Sequence, residues 1–213
     1  MTRFIVGCVV GLLASGCAGA SKSNQTDPWT SLFDGQSLGN WASTPFGGEG
    51  QVTVEDGAIV LPMGSPMTGV TWQGRPPMRT NYEVEFQAMR TLGNDFFCAL
   101  TFPAGDQPCT LVLAGWGGSV VGLSNIDGAD ASQNETTTFH PFRNDQWYRV
   151  RLRVEEDHIA AWVDDKQLID LDIAGKRLSI RPEVELSRPL GLATWTSEGR
   201  IKDLRWRSVA REP

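Results

Sequence analysis

Histidine and tyrosine are nearly missing from this chain, two of each among 213 residues. No Cys/His cluster, glycine-rich phosphate loop or Ser-His-Asp arrangement is visible in the sequence. Positive charge is short as well: 19 Lys and Arg stand against 25 Asp and Glu, a formal net charge of −6, which argues against nucleic acid as a partner. Helical stripes are absent apart from one turn near residues 170–178, so a nucleotide-binding α/β fold is excluded. The apolar run from Phe4 to Leu13 is too short to span a bilayer. What the chain has in quantity is glycine, 23 residues, and tryptophan, eight, a mixture that favours strands and turns over helices.

The amino terminus reads as an export signal of the bacterial lipoprotein type. Arg3 gives a positive start, Phe4–Leu13 an apolar stretch, and Ala14-Ser15-Gly16 a small-residue run before Cys17. The expected organisation is a signal over 1–16, lipidation at Cys17, a flexible tether over 17–28 and a single domain over 29–213. This places the protein in the cell envelope, exported and held to a membrane by an N-terminal lipid anchor. Cys98 and Cys109 are then the thiols of the folded domain. An oxidising compartment permits a disulfide between them. If Phe102 pairs with Cys109, however, Cys98 lies four residues up the strand, too far to bridge. Both alternatives stay open.

Two segments alternate cleanly. Tyr82, Val84, Phe86 and Ala88 face one way and Glu83, Glu85 and Gln87 the other, while Tyr148, Val150, Leu152 and Val154 oppose Arg149, Arg151 and Arg153. Each is a half-buried strand. Turns at 155–157 and 164–166 link 147–154, 158–163 and 167–173 into an antiparallel meander. Further strands are expected at 52–54, 58–61, 68–72, 95–102, 109–114, 118–124, 189–196 and 200–208. Many short strands separated by Gly, Pro and Asp predict an all-β sandwich.

Several residues have a plain reading. Trp41, Trp147, Trp162 and Trp206 fall in strand patterns and are assigned to the core, whereas Trp72, Trp116 and Trp195 adjoin small or polar residues at loops or strand ends and are the candidates for an exposed stacking platform. His158 follows Glu155 and Asp157 and is expected to pair with one of them. Glu83/Glu85 and Glu183/Glu185 share the spacing of a carboxylate pair, which also suits a solvated strand face.

Three stretches carry a resemblance. Leu32-Phe33-Asp34-Gly35-Gln36-Ser37-Leu38-Gly39-Asn40-Trp41 resembles the opening motif of the 3-keto-disaccharide hydrolase-like family. Asn144-Asp145-Gln146-Trp147 with the Val163–Lys166 turn resembles its middle hairpin, and Pro189–Trp195 followed by Gly199–Leu204 its closing strands. The resemblance implies a concanavalin A-like jelly roll of two antiparallel sheets, with a carbohydrate ligand on the concave sheet and its bordering loops. Where the family carries a run ending in His-Gly, this chain has Ala193–Arg200 and no His.

The implied chemistry is cleavage of a 3-keto-glycoside by a hydrolase or lyase. The ketone acidifies the hydrogen at carbon 2, and elimination then expels the group at carbon 1. Such a site needs a base, for which a carboxylate or His serves, and something to hold the enolate, either fixed donors or a divalent metal ion. The segment 109–140 concentrates glycines and polar side chains, and there Asp127, Glu135 and His140, with Asp130 beside them, are the candidates for the base. Asp-Gly turns also use such residues for backbone geometry alone. The alternative is a non-catalytic glycan-binding sandwich using Trp116 or Trp195, or a cell-envelope interaction domain with no small ligand.

Overall fold

The computed structural model describes Met1 and residues 28–210; the signal, Cys17 and nearly all of the tether lie outside them. Fifteen strands form two antiparallel sheets. In the first, β13 (Lys166–Asp172), β12 (His158–Val163), β11 (Tyr148–Val154), β6 (Tyr82–Gly93), β15 (Ser197–Ser208), β4 (Ala58–Leu61) and β3 (Thr53–Glu55) lie side by side, and β1 (Thr30–Ser31) also pairs with β15. In the second the order is β10 (Thr138–Phe139), β9 (Val120–Ser124), β8 (Gln107–Ala114), β7 (Cys98–Ala104), β14 (Gly191–Trp195), β5 (Met67–Trp72) and β2 (Trp41–Ser43). The two stack as a jelly-roll sandwich.

Alternation decides which side of each strand is buried. Phe86 and Leu152 from the first sheet meet Leu100, Leu111 and Leu123 from the second in one apolar cluster, each side chain contributing roughly 1.5–3 kcal/mol by leaving water. The 147–173 meander forms as expected, with Val163 opposite Lys166 and only Asp164-Asp165 in the turn. Asp56 and Gly57 both take positive φ, 50° and 76°, the backbone a two-residue hairpin needs to match strand twist.

Two strands start later than alternation suggests. Residues 95–97 are a loop because Asp95 turns its carboxylate onto the Phe96 amide, Oδ1 accepting at 2.7 Å, and β9 begins at Val120 because Gly117 and Gly118 hold positive φ. The helical turn near 170–178 is not formed. The chain leaves β13 in a turn, and the helical piece is a 3-10 helix at Pro182–Ser187, started by the proline at its first position.

Cys98 lies opposite Leu113 and Cys109 opposite Phe102. The two thiols are therefore four rungs apart, buried and free, which corrects the disulfide expectation. Burial pushes the Cys109 thiol up to about 12 and that of Cys98 higher still. Trp41 is core as expected, its indole N–H donating to Leu32 at 2.9 Å. Trp147 and Trp162 are not core: each is half-buried on the outer face under a cation, Lys202 Nζ at 4.2 Å and the Arg151 guanidinium at 4.1 Å.

Candidate functional site

The outer face of the second sheet is built from small residues. Across β14, β7, β8 and β9 one rung reads Gly191, Thr101, Thr110, Ser124 and the next Ala193, Ala99, Val112, Gly122. Nothing there reaches into solvent, so other segments settle directly on the sheet. A Cβ at Gly191 would lie 2.5 Å from the Ser187 carbonyl, and one at Gly122 would lie 2.8 Å from that of Ala131. These glycines are required by close approach.

The covering over Gly191 is a strap, residues 173–187, laid across the strands. Leu178 N donates to Gln107 Oε1 at 2.8 Å, Ser179 N to the Asn125 carbonyl at 3.0 Å, and Thr71 Oγ1 to the Leu186 carbonyl at 2.9 Å. The loop 125–137 grips it from the side. Asp127 Oδ1 accepts from Arg177 N at 2.9 Å, Glu135 pairs with Lys176 at 2.6 Å, and Asp130 holds Arg181 at 2.8 Å. Asn134 keeps that loop folded by donating to three carbonyls, those of Leu123, Ala129 and Asp130.

Between the strap and the segments that carry Asp95 and Trp116 the sheet stays uncovered, leaving a cavity of about 220 Å³. Ala99, Thr110, Val112 and Ser124 make its floor. Two indoles border it, Trp116 and Trp195, and Arg181, Glu183 and Asp95 bring charge to its edge. Trp116 is 41 % exposed. It stands on the tight turn Gly115–Gly118, where Ala114 and Trp116 both take left-handed φ, 65° and 48°, a conformation that side chains resist unless the surroundings enforce it. Gly117 N, donating to Asp95 Oδ2 at 3.3 Å, is one such tie. Trp195 is tilted against Phe96 with ring centres 6.1 Å apart.

Glu183 and Arg181 are a bonded pair at 2.8 Å. Hydrogen bonding to Arg181 lowers the Glu183 carboxyl below its usual range and raises the guanidinium in return. Glu183 is therefore a poor proton donor near neutrality, and Asp95 makes no salt bridge among the described residues, its two oxygens accepting from the Phe96 and Gly117 amides.

The structure brings Trp116 and Trp195 to one cavity and places the other candidates elsewhere. Trp72 packs edge-on to Trp41 at 5.3 Å and is not a platform. Asp127 and Glu135 lie outside the cavity and hold the strap. His140 is packed against Phe142 and Tyr148, ring centres 4.7 and 6.0 Å away, and burial lowers its pKa. These three do not converge on a common space, which corrects their grouping as a site. His158 pairs with Asp170 on the neighbouring strand at 2.7 Å, not with Glu155 or Asp157. Among the described residues no group of three or more His, Cys, Asp or Glu is placed to hold a metal ion. The described residues do not fit a divalent cation.

Asp95, Arg181 and Glu183 escape a reading of the sequence. Alternation puts Asp95 in a strand, and Glu183 and Glu185 look like a strand face until Arg181-Pro182 is taken as a helix start.

A model of the 3-keto-alpha-glucoside-1,2-lyase-like domain matches residues 28–207. A comparison with curated proteins finds no match. Among solved structures, the carbohydrate-binding module CBM66 from Bacillus subtilis is similar at TM-score 0.54 and 16 % identity, covering 85 % of this chain and 100 % of that one. The Crh5 transglycosylase in complex with NAG is similar at TM-score 0.58 and 11 % identity, over 89 % and 92 % of the two chains. The exoplasmic/lumenal domain of VIP36, in its Ca2+/Man3GlcNAc-bound form, gives 0.58 and 14 %, over 84 % and 87 %. At such identities the likeness is one of fold.

Proposed function

From the premise that this chain belongs to the 3-keto-alpha-glucoside-1,2-lyase-like domain family, a carbohydrate-related family, we propose that it is an exported, lipid-anchored protein that recognises a sugar in the cavity between Trp116 and Trp195. The observation that carries this reading is the placement of two indoles around a floor of small residues on the sheet face turned away from the core. A pyranose presents an apolar face that stacks on an aromatic ring and a rim of hydroxyls that need partners. Asp95, Ser124, Thr110 and Arg181 supply polar groups of both kinds along the same cavity.

The test is a titration of the protein with a panel of oligosaccharides, followed by tryptophan fluorescence and calorimetry. Binding is expected, with Trp116→Ala weakening it tenfold or more while the circular dichroism spectrum is unchanged. Undiminished binding in both Trp116→Ala and Trp195→Ala sinks the reading. Lipid attachment is tested separately: labelled palmitate is incorporated by the intact chain and not by Cys17→Ser.

One observation favours a catalytic reading beside this one. Asp95 is held by two backbone amides, those of Phe96 and Gly117, at the edge of a cavity sized for a small ligand. On a bound 3-keto-glucoside its carboxylate would take the proton from carbon 2. The electron pair left behind forms the enolate, which collapses to a double bond between carbons 1 and 2 as the bond from carbon 1 to the leaving oxygen breaks, and that oxygen departs as an alcohol with the proton Asp95 took up. Turnover of 3-keto-glucosides that vanishes in Asp95→Asn, with sugar binding retained, is the expected outcome; turnover indifferent to Asp95 removes it as the base.

A further inference from the structure

A second cavity, about 190 Å³, opens on the same face at the other end of the β7–β8 hairpin. Alternation places Pro103 and Pro108 on the side of Thr101 and Thr110, away from the core. They stand four residues along from Ala99 and Val112, about 13 Å at the rise of a strand. The strap runs between the two spaces, with Arg181 and Glu183 at the first and the following Arg188 and Pro189 at the second.

Much of the wall of this second cavity offers no backbone donor. Pro76, Pro103, Pro108 and Pro189 contribute rings without an N–H, and the walls are tied together: Gly105 N donates to the Arg79 carbonyl at 2.8 Å, and Tyr82 Oη to that of Pro103 at 2.6 Å. Recognition therefore falls to the side chains that remain. Three are arginines, Arg75, Arg79 and Arg188, facing a single carboxylate, Asp106. On a chain whose formal charge is −6, that local excess of guanidinium is conspicuous. Arg75 makes no ion pair among the described residues. Arg79 is paired with Asp106 and Arg188 with Glu185, but all four of those side chains are well exposed, and such pairs exchange for a ligand at little cost. Guanidinium is the group suited to planar, bidentate capture of a carboxylate or of sulfate oxygens.

We infer that this second cavity is an anion subsite, and that the glycan recognised between Trp116 and Trp195 is an acidic one, bearing a carboxylate or sulfate a short distance along the chain. The inference rests on the sugar-binding reading above and names its substrate class. One unit occupies the aromatic cavity, the glycan passes over the strap, and an acidic substituent farther along meets Arg75, Arg79 and Arg188.

Binding is measured for three probes of equal length: a neutral malto-oligosaccharide, an oligogalacturonate and a sulfated dextran oligomer. At low salt at least one acidic probe binds tenfold or more tighter than the neutral one, and which one it is separates carboxylate from sulfate. The advantage shrinks with added salt and disappears in Arg75→Ala/Arg188→Ala, while affinity for the neutral probe stays. Equal affinity for all three, or an acidic advantage that survives the double substitution, overturns the inference with the sugar-binding reading intact. If no oligosaccharide binds, that reading fails instead. Inorganic sulfate, followed by the NMR side-chain signals of Arg75, Arg79 and Arg188, then decides the subsite alone: a saturable shift at all three upholds an anion site, and no shift ends it.

Discussion

On the first sheet the side chains turned away from the core are long and charged, whereas on the second they are small. Arg151, Glu85 and Arg205 stand on one rung of the first sheet, and Arg153, Glu83 and Arg207 on the next. Glu83 is fully buried beneath the arginines, 2.8 Å from Arg153 and 2.5 Å from Arg207, and Trp29 lies against Arg205 and Arg207 with the guanidinium carbons 4.9 and 4.5 Å from its ring. Those groups satisfy one another and close the surface. The second sheet has nothing long enough to close itself, so it is covered in pieces by the strap and the 125–137 loop, and the uncovered remainder is a cavity. The cavity is a consequence of which face was left short.

The contrast is broken most directly by emptying the closed face. Replacing Glu83 with Ala leaves two close guanidiniums without their shared carboxylate. Removing one partner of a buried pair costs about 3 kcal/mol, toward the low end of the range because these arginines reach solvent. A large fall in the urea midpoint is expected, with sugar affinity unchanged under conditions where the variant stays folded. A loss of affinity from a folded variant would mean the two faces are coupled through the core.

Loosening the open face costs less stability and more function. Asp130 accepts from the Ser132 amide and hydroxyl and from Arg181; Asp130→Ala should lower stability by about 1–2 kcal/mol and weaken ligand binding, because Arg181 borders the cavity. Faster hydrogen exchange confined to 173–187 would show that the strap, not the sheet, has been released. A smaller effect of the same kind comes from acid. Glu183 is depressed by its bond to Arg181, so its contribution is fully present above the ordinary carboxylate range and is lost as pH falls through the lower folded value. At this exposure it amounts to at most about 1 kcal/mol. The protection of the 3-10 helix amides, taken relative to their intrinsic exchange rate at each pH, should therefore fall once the pH drops below the ordinary carboxylate range in the native chain and show no such step in Glu183→Gln.

What the sequence reveals follows the same division. Period-two alternation is strong where one side of a strand is charged, so 82–89 and 147–154 are found with their faces correctly assigned, and the meander follows from its Asp turns. The open face carries no such signal. Gly122 and Gly191 look like turn residues until the segments resting on them are seen. The strap has neither helical nor strand periodicity, and nothing in its sequence says that Asp127 and Glu135 hold it. Trp116 and Trp195 stand out as candidate platforms because their neighbours are Gly and Thr; the same rule points to Trp72, which fails because Trp41 comes to it from β2. Asp95 sits in an apolar stretch, and only the turn at 115–118 makes it part of a site.

The smallest expected effect bears hardest on function. Glu135 and Lys176 form a solvent-facing pair, and Glu135→Ala should change stability by no more than about 0.5 kcal/mol, with sugar affinity altered less than twofold. Asp127→Asn keeps the oxygen that accepts from Arg177 N and should be similarly quiet. If these acids are only anchors, turnover of a 3-keto-glucoside, should the protein show any, is indifferent to both substitutions and sensitive to Asp95→Asn. The reverse pattern, in which Asp127→Asn abolishes turnover from a folded protein that still binds sugar, would move the chemistry from the cavity to the loop beside it. The small residues of the second sheet would then serve only to seat the strap.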